Sequence, residues 1–334
     1  MTRPRLLVLA GATATGKTAL AVELARALDG ELVSADSVAL YGRLVIGSAR
    51  PTDDELQGVA HHLAGTLDLR DAYDAARFLA DADAAIAGIA ARGRVPIVVG
   101  GSGLYQRALV RGLAMGIPSD PTVRDALRAR AAEGPATLAA MHRELAAVDP
   151  AYAAKIHPTD PIRIVRALEV WTLSGEPLSA HHARHAAEPP RYDARWWCLD
   201  VDRDALRPRV VVRTRSMLAR GWVDEVRAIL ADGYEPDLKP LRSVGYAEIV
   251  DHLRGALDAA ALPEAIVRAT MAFAKRQRTW YRGEADVTWI TPEHARDASV
   301  HDELGQWLRP RHTGDTVTLL HSGPPHHRRD VGMS

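Results

Sequence analysis

The residues best suited to chemistry come early in the chain. The run GATATGKT at positions 11–18 fits the pattern G-x-x-x-x-G-K-[ST], whose glycines let backbone N–H groups converge on an anion. Gly11, Ala12, Thr13, Ala14, Thr15, Gly16, Lys17 and Thr18 would together cradle linked phosphates. Lys17 would neutralise their charge, and the Thr18 hydroxyl offers a ligand to Mg²⁺. A nucleotide hydrolase with such a loop also places an aspartate at the end of a later strand to hold magnesium. The natural strand for it, RVPIVVGG, runs into Gly100, Gly101 and Ser102 with no acid. The acid stands instead at Asp36, closing ELVSAD, on the sheet edge where α/β proteins collect ligands. A carboxylate there can be a general base, a partner of hydrated magnesium, or a helix cap with Ser37.

These residues need a frame. RLLVLAG is a continuous apolar run ending in glycine, the pattern of a parallel strand buried on both faces. A helix is predicted over 17–28, with Leu20, Leu24 and Leu28 on one stripe and Asp29-Gly30 as its stop. ELVSAD is a second strand, an alanine-rich helix is predicted over 75–91, and RVPIVVGGSGLY is a third strand with a glycine turn. From about 118 to 190 the pattern is helical, after which RWWCLDVD restores strand character. Helices then run from about 206 to 282, and VTWI is a last short strand. The expected fold is therefore α/β: a P-loop core with a parallel sheet flanked by helices, plus an all-helical insertion. Its expected parts are 1–117 and 193–292 for the core, 118–192 for the insertion, and 293–334 for a polar, poorly ordered extension ending in HHRRDVGMS.

Composition narrows the class. The chain has 334 residues, 47% hydrophobic and 25% charged, with formal net charge zero, so any basic surface must be local. Lysine occurs only at Lys17, Lys155, Lys239 and Lys275; the rest of the positive charge is arginine. Cys198 is the single cysteine, which rules out a disulfide or a cysteine-rich zinc site within one chain. No apolar run approaches the roughly 18 residues that span a bilayer, and the start is no signal peptide, so the chain reads as cytoplasmic. The histidines of HHARH at 181–185 suggest a metal, but in a linker without a thiolate they do not specify one.

GATATGKT, SADSVALYGRLVIGSARP, VAHHL, VGGSGLY, RIVRALEV, RSVGY and AKRQRTWYRG follow one another in that order. Together, over about residues 5 to 292, they resemble the tRNA dimethylallyltransferase (tRNA isopentenyltransferase) family. The resemblance implies transfer of a dimethylallyl group from dimethylallyl diphosphate to the exocyclic amine of the adenosine just 3′ of the anticodon. The loop would then hold diphosphate as a leaving group, with Mg²⁺ on Thr18. The resemblance makes Asp36 the base, and sets Ser102 where the family has a threonine that touches substrate and leaving group. Within RPRVVVRTRSML it favours Arg213 over Arg209 as a diphosphate contact. The chain departs from the family at Ala12 and Thr15, where proline and serine are usual, and at Ala60, where proline is usual. Neither loop side chain is needed for backbone cradling, and the change at Ala60 bears on turn stiffness more than on chemistry.

The resemblance also carries over tRNA-contacting stretches. One is Asp36, Ser37, Val38 and Ala39, joined by Ser102 and Arg124; a second is Ile162, Arg163, Ile164, Val165 and Arg166. A third is Arg242, Ser243, Val244, Gly245, Tyr246 and Ala247, and a fourth Lys275, Arg276, Gln277, Arg278, Thr279, Trp280, Tyr281 and Arg282. On a helix Lys275, Arg278 and Arg282 share one face, with Arg268 further back. Trp280 and Tyr281 could stack on an unpaired base or pack inward. The expected partners are the anticodon stem-loop of tRNA, gripped by the insertion, and dimethylallyl diphosphate. A monomer without membrane contact is expected. A prenyltransferase for free adenosine nucleotides and a P-loop small-molecule kinase share the loop, but neither accounts for the insertion or for KRQRTWYRG. A non-catalytic RNA-binding protein would have no use for Lys17, Thr18 and Asp36 together.

Overall fold

A computed structural model describes residues 3–114 and 116–308. The chain divides into two compact units, Met1–Val110 with Tyr192–Ser334, and Arg111–Arg191. The helical unit thus opens at Arg111, ahead of the expected position 118.

In the first unit a six-stranded parallel sheet has the order β3-β2-β4-β1-β5-β6. The strands are β1 (Arg5–Gly11), β2 (Gly30–Ser34), β3 (His61–His62), β4 (Val95–Val99), β5 (Asp193–Leu199) and β6 (Val287–Ile290). Between them run α1 (Lys17–Leu28), α2 (Asp53–Leu56), α3 (Ala75–Ala91) and α4 (Gly103–Arg111). Burial explains β1: Leu6, Val8 and Ala10 enter one apolar cluster with Phe78 and Trp196, while Leu7 and Leu9 enter another with Leu20 and Leu24 of α1. Every one of these side chains is removed from water, so the strand reads as an unbroken apolar run. Cys198, level with Ala10 in the next strand, is buried, and burial pushes its thiol up to about 12.

The second unit is helical throughout its described length: α5 (Pro121–Ala132), α6 (Pro135–Val148), α7 (Pro150–Ala153), α8 (Pro161–Ser174) and α9 (Leu178–Ala187). Asp120, Asp149 and Asp160 cap α5, α7 and α8, each just before a proline that suits the first helical turn. Met141, Leu145, Ile164 and Leu168 form its core. His181, His182 and His185 lie on α9 rather than in a linker. His181 faces Glu176 at 3.2 Å, and His182 packs edge-on against Tyr152.

The first unit resumes with α10 (Arg203–Ala219), α11 (Trp222–Ala231), α12 (Tyr246–Leu253) and the long α13 (Leu262–Arg282). After β6 the chain forms α14 (Ala298–Leu308). This corrects the expected poorly ordered extension from 293. Leu304 is fully buried with Val300, Trp307 and Leu308 against the α1 side of the sheet, and Arg296 pairs with Glu23 at 2.7 Å. The run HHRRDVGMS lies outside the described residues. Among those described, no helix is long and apolar enough to cross a membrane.

Candidate active site

The C-terminal ends of β1, β2 and β4 meet at one edge of the sheet, and the loops leaving them carry the candidate residues. The loop after β1 needs its glycines. Gly16 begins α1 at φ 89°, a conformation that suits glycine, and a Cβ on Gly11 would stand 2.8 Å from Thr15 Oγ1. Ala14 also adopts the left-handed region, at φ 63°, which costs roughly 1–2 kcal/mol and curls successive N–H groups toward one side. Thr15 Oγ1 donates to Ala12 O at 2.8 Å, so this side chain holds the loop rather than an anion. Thr13 N–H is also engaged elsewhere, donating to Gln277 Oε1 at 3.0 Å, and so leaves the expected set of phosphate-binding amides.

Lys17 is half-buried and its Nζ reaches Ala12 O at 3.4 Å. Burial pulls its ammonium down to about 8, against the pull of Asp36, with Arg213 adding to the depression. Arg213, on α10, is likewise lowered by burial and sustained by Asp36. Lys17, Arg213 and Asp36 therefore lie within one electrostatic neighbourhood, two cations facing one carboxylate. Arg209 is on an exposed face of the same helix. Two partly desolvated cations beside one carboxylate form an arrangement that suits an anion.

Asp36 Oδ1 accepts N–H bonds from Val38 at 2.9 Å and Ala39 at 3.2 Å, capping the turn that follows. Among the described residues no hydrogen bond engages Oδ2, so the cap leaves one oxygen for other work. Ser102 Oγ accepts from Ser37 N–H at 3.0 Å, joining the loop after β4 to the Asp36 turn instead of capping α4. Ala35 N donates to Val99 O and Ser102 N to Ala35 O, so the two loops are laced together. Gly100 makes this approach possible: a Cβ there would sit 2.1 Å from Ala35 O. His61, beside β2, belongs to the VAHHL motif, which assigns it no role of its own. Both its ring nitrogens are buried and unpartnered among the described residues, and burial lowers it to about 4, so it is neutral.

Mg²⁺ fits these residues in a limited way. No group of three or more histidine, cysteine, aspartate or glutamate side chains is gathered to hold a metal among the described residues. An ion here would rest on the Thr18 hydroxyl and on oxygens brought by the anion and water, a set that suits hard Mg²⁺.

The expected RNA-contacting residues divide by burial. Ser37, Ile162, Arg163, Arg242, Lys275, Arg276, Thr279 and Arg282 are exposed. Ala39, Ile164, Val165, Gly245, Tyr246, Gln277 and Tyr281 are buried, so within the expected stretches these positions offer little surface of their own. Tyr246 donates to Glu225 Oε1, and Tyr281 to Gln106 Oε1. Trp280 packs inward on Gly103 and Trp196. Arg124 and Arg166 clamp Glu169, whose side chain is fully buried. Burial alone would raise that carboxyl, but the two guanidinium groups outweigh it and hold it below the ordinary range. Arg278 pairs with Asp200 at 2.7 Å and donates to Val201 O. With Lys275 and Arg282 it lines a cavity of ≈ 380 Å³ floored by Ala12, Leu206 and Met271.

Comparison with known proteins places the whole chain. The sequence profile of the family described as IPP transferase matches residues 39–284, and that described as isopentenyl transferase matches residues 4–66. A tRNA dimethylallyltransferase 1 of Trichlorobacter lovleyi is 45% identical over 301 residues, covering 90% of this chain and 97% of that protein. A tRNA dimethylallyltransferase of Anaeromyxobacter sp. is 49% identical over 297 residues, covering 88% and 95%. The crystal structure of a tRNA isopentenylpyrophosphate transferase from Bacillus halodurans superposes with TM-score 0.66 at 33% identity, covering 92% of this chain and 96% of that one. A eukaryotic dimethylallyltransferase acting on tRNA shares the fold, with TM-score 0.74 at 24% identity over 93% and 81% of the two chains.

Proposed function

The chain belongs to the IPP transferase family, and from that premise we propose how its residues transfer a dimethylallyl group from dimethylallyl diphosphate to an adenosine of tRNA. It is a tRNA dimethylallyltransferase, and the phosphate loop serves a leaving group rather than a nucleotide's terminal phosphate. The allylic C–O bond breaks and its electron pair leaves with diphosphate. Lys17, Arg213 and the remaining loop amides take up the growing charge, which is the main demand of the step. The Thr18 hydroxyl would hold a Mg²⁺ ion, which would add further charge compensation for the leaving group.

The adenine amine is a poor nucleophile because its lone pair is spread into the ring. As nitrogen bonds to the allylic carbon, Asp36 Oδ2 takes its proton, while Oδ1 remains tied to Val38 and Ala39. Ser102, whose Oγ already receives Ser37 N–H, keeps its own O–H to donate to the leaving group or the base. The acceptor is the adenosine beside the anticodon, swung out of the loop stack at a cost of a few kcal/mol. Exposed Arg163, Arg242, Lys275 and Arg282 supply phosphate contacts to the anticodon stem-loop, and the enzyme acts as a cytoplasmic monomer.

One observation carries this reading: a carboxylate with an unspent oxygen shares its field with two partly desolvated cations at a phosphate loop that lacks the usual hydrolytic acid. The test is incubation of purified protein with radiolabelled dimethylallyl diphosphate, Mg²⁺ and either bulk tRNA or AMP. Label entering tRNA alone is expected. Label in AMP alone, or phosphate transfer from ATP, overturns the reading.

A further inference from the structure

We propose that Gln277 is a positioning residue that couples occupancy of the diphosphate loop to tRNA docking on α13. The identity of the docked partner rests on the reading above; the link to the loop does not.

Gln277 is 8% exposed, in the C-terminal third of a 21-residue helix. Burying a side-chain amide is unfavourable unless its donor and acceptor are both matched. Here each is matched to a different functional loop. Oε1 accepts Thr13 N–H at 3.0 Å, and Nε2 donates to Gly101 O at 2.9 Å. The first bond fixes the Ala12–Thr13 peptide, one residue ahead of Ala14, the loop's left-handed non-glycine residue. The second holds the residue just before Ser102, whose hydroxyl is tied to the Asp36 turn. The fit at Gly101 is close, since a Cβ there would stand 2.4 Å from Nε2.

One side chain thus braces both the cradle of the leaving group and the turn bearing the base. The same helix turns Lys275, Arg276 and Arg282 to the surface. A second strut runs parallel: Tyr281 donates to Gln106 Oε1, and Gln106 Nε2 donates to Gly100 O. A partner that shifts or stiffens α13 therefore acts on both loops, and binding energies linked in this way are reciprocal.

The experiment measures inorganic diphosphate binding by calorimetry, with and without an anticodon stem-loop RNA, in wild type and Gln277→Met. Wild type should bind diphosphate several-fold more tightly with RNA present. In Gln277→Met the diphosphate affinity should fall about tenfold, the order expected for a lost buried hydrogen bond. The RNA-induced gain should vanish, kcat should fall, and RNA affinity without diphosphate should stay within about twofold. Unchanged diphosphate affinity and coupling in this variant, or no RNA effect in wild type, overturns the proposal. Should the methionine variant unfold, Gln277→Glu keeps an acceptor for Thr13 but removes the amide donor to Gly101. It should bind diphosphate while turning over more slowly, and wild-type turnover with full coupling in it also overturns the proposal. Wild type that binds no stem-loop at all overturns instead the functional reading, leaving the diphosphate measurement to judge the loop contact.

Discussion

Two carboxylates at the two ends of β2 are treated in opposite ways. Glu31, near its start, is 2% exposed and saturated: Arg92 binds both oxygens, Arg94 binds Oε1, and His62 Nε2 lies 2.6 Å from Oε2. Asp36, just past its end, is half-buried, spends one oxygen on backbone amides, and faces cations that share its field without an ion pair. The first arrangement suits stability, because a buried charge is held only with full compensation. The second suits turnover, because a base must have an oxygen to offer. One end of the sheet is locked and the other left chemically open.

Exchanging function for stability at the two sites tests this contrast most strongly. Asp36→Asn should lower kcat on the order of 10²-fold or more with little change in thermal stability or RNA affinity. Near-wild-type turnover would remove Asp36 as the base. Glu31→Gln should do the reverse, costing about 2–3 kcal/mol in denaturant unfolding while leaving kcat of the folded enzyme intact; the half-exposed guanidinium groups keep the figure below that of a wholly buried pair. The sign with pH follows from its carboxyl, which Arg92 chiefly holds down to about 2 against an ordinary 4.5. Its contribution is whole above pH 4.5 and is lost as pH falls through 2, so the variant's acid-unfolding curve should be flatter across that window.

The open end should show its own titration. Burial places Lys17 at about 8, so above that pH its amine must take up a proton when diphosphate binds. Diphosphate affinity should therefore decline as pH rises past 8, with proton uptake visible by calorimetry in buffers of different ionisation enthalpy, and Lys17→Met should abolish that uptake. The smallest effect concerns the RNA face. Lys275→Ala or Arg282→Ala should reduce the salt slope of tRNA binding by about one unit each. Arg278→Ala should reduce it less, because Asp200 already occupies that guanidinium. Equal slopes in all three would mean that exposure on α13 does not decide which cations meet phosphate.

Much of the frame was legible where local pattern suffices. The expected 17–28 and 75–91 helices coincide with α1 and α3, and the four long strands fell on apolar runs bounded by glycine or charge. The short strand VTWI was legible as well, as β6, but two other short elements were not. β3 has two residues and owes its existence to pairing with Leu32 and Val33, while α2 carried a signal, the Thr52–Glu55 capping box, that went unused. The helix Ala298–Leu308 was hidden by its polar face, although Val300, Leu304, Trp307 and Leu308 keep helical spacing. At the site, residue types and order pointed to Lys17 and Asp36, and the family resemblance to Arg213, but motif membership could not separate surface from interior. Gln277 and Tyr281 sit in a strongly basic stretch and face inward, because their partners, Gly101 after β4 and Gln106 on α4, lie more than 170 residues away in the chain.

Cys198 gives the molecule a reporter of its own. It is the only thiol in the chain, sealed in a central strand beside the phosphate loop and kept protonated by that burial. A maleimide or disulfide reagent has no access while the sheet is closed. The speed at which such a reagent is consumed is thus a clock for how often this half of the enzyme opens, readable without introducing any foreign label.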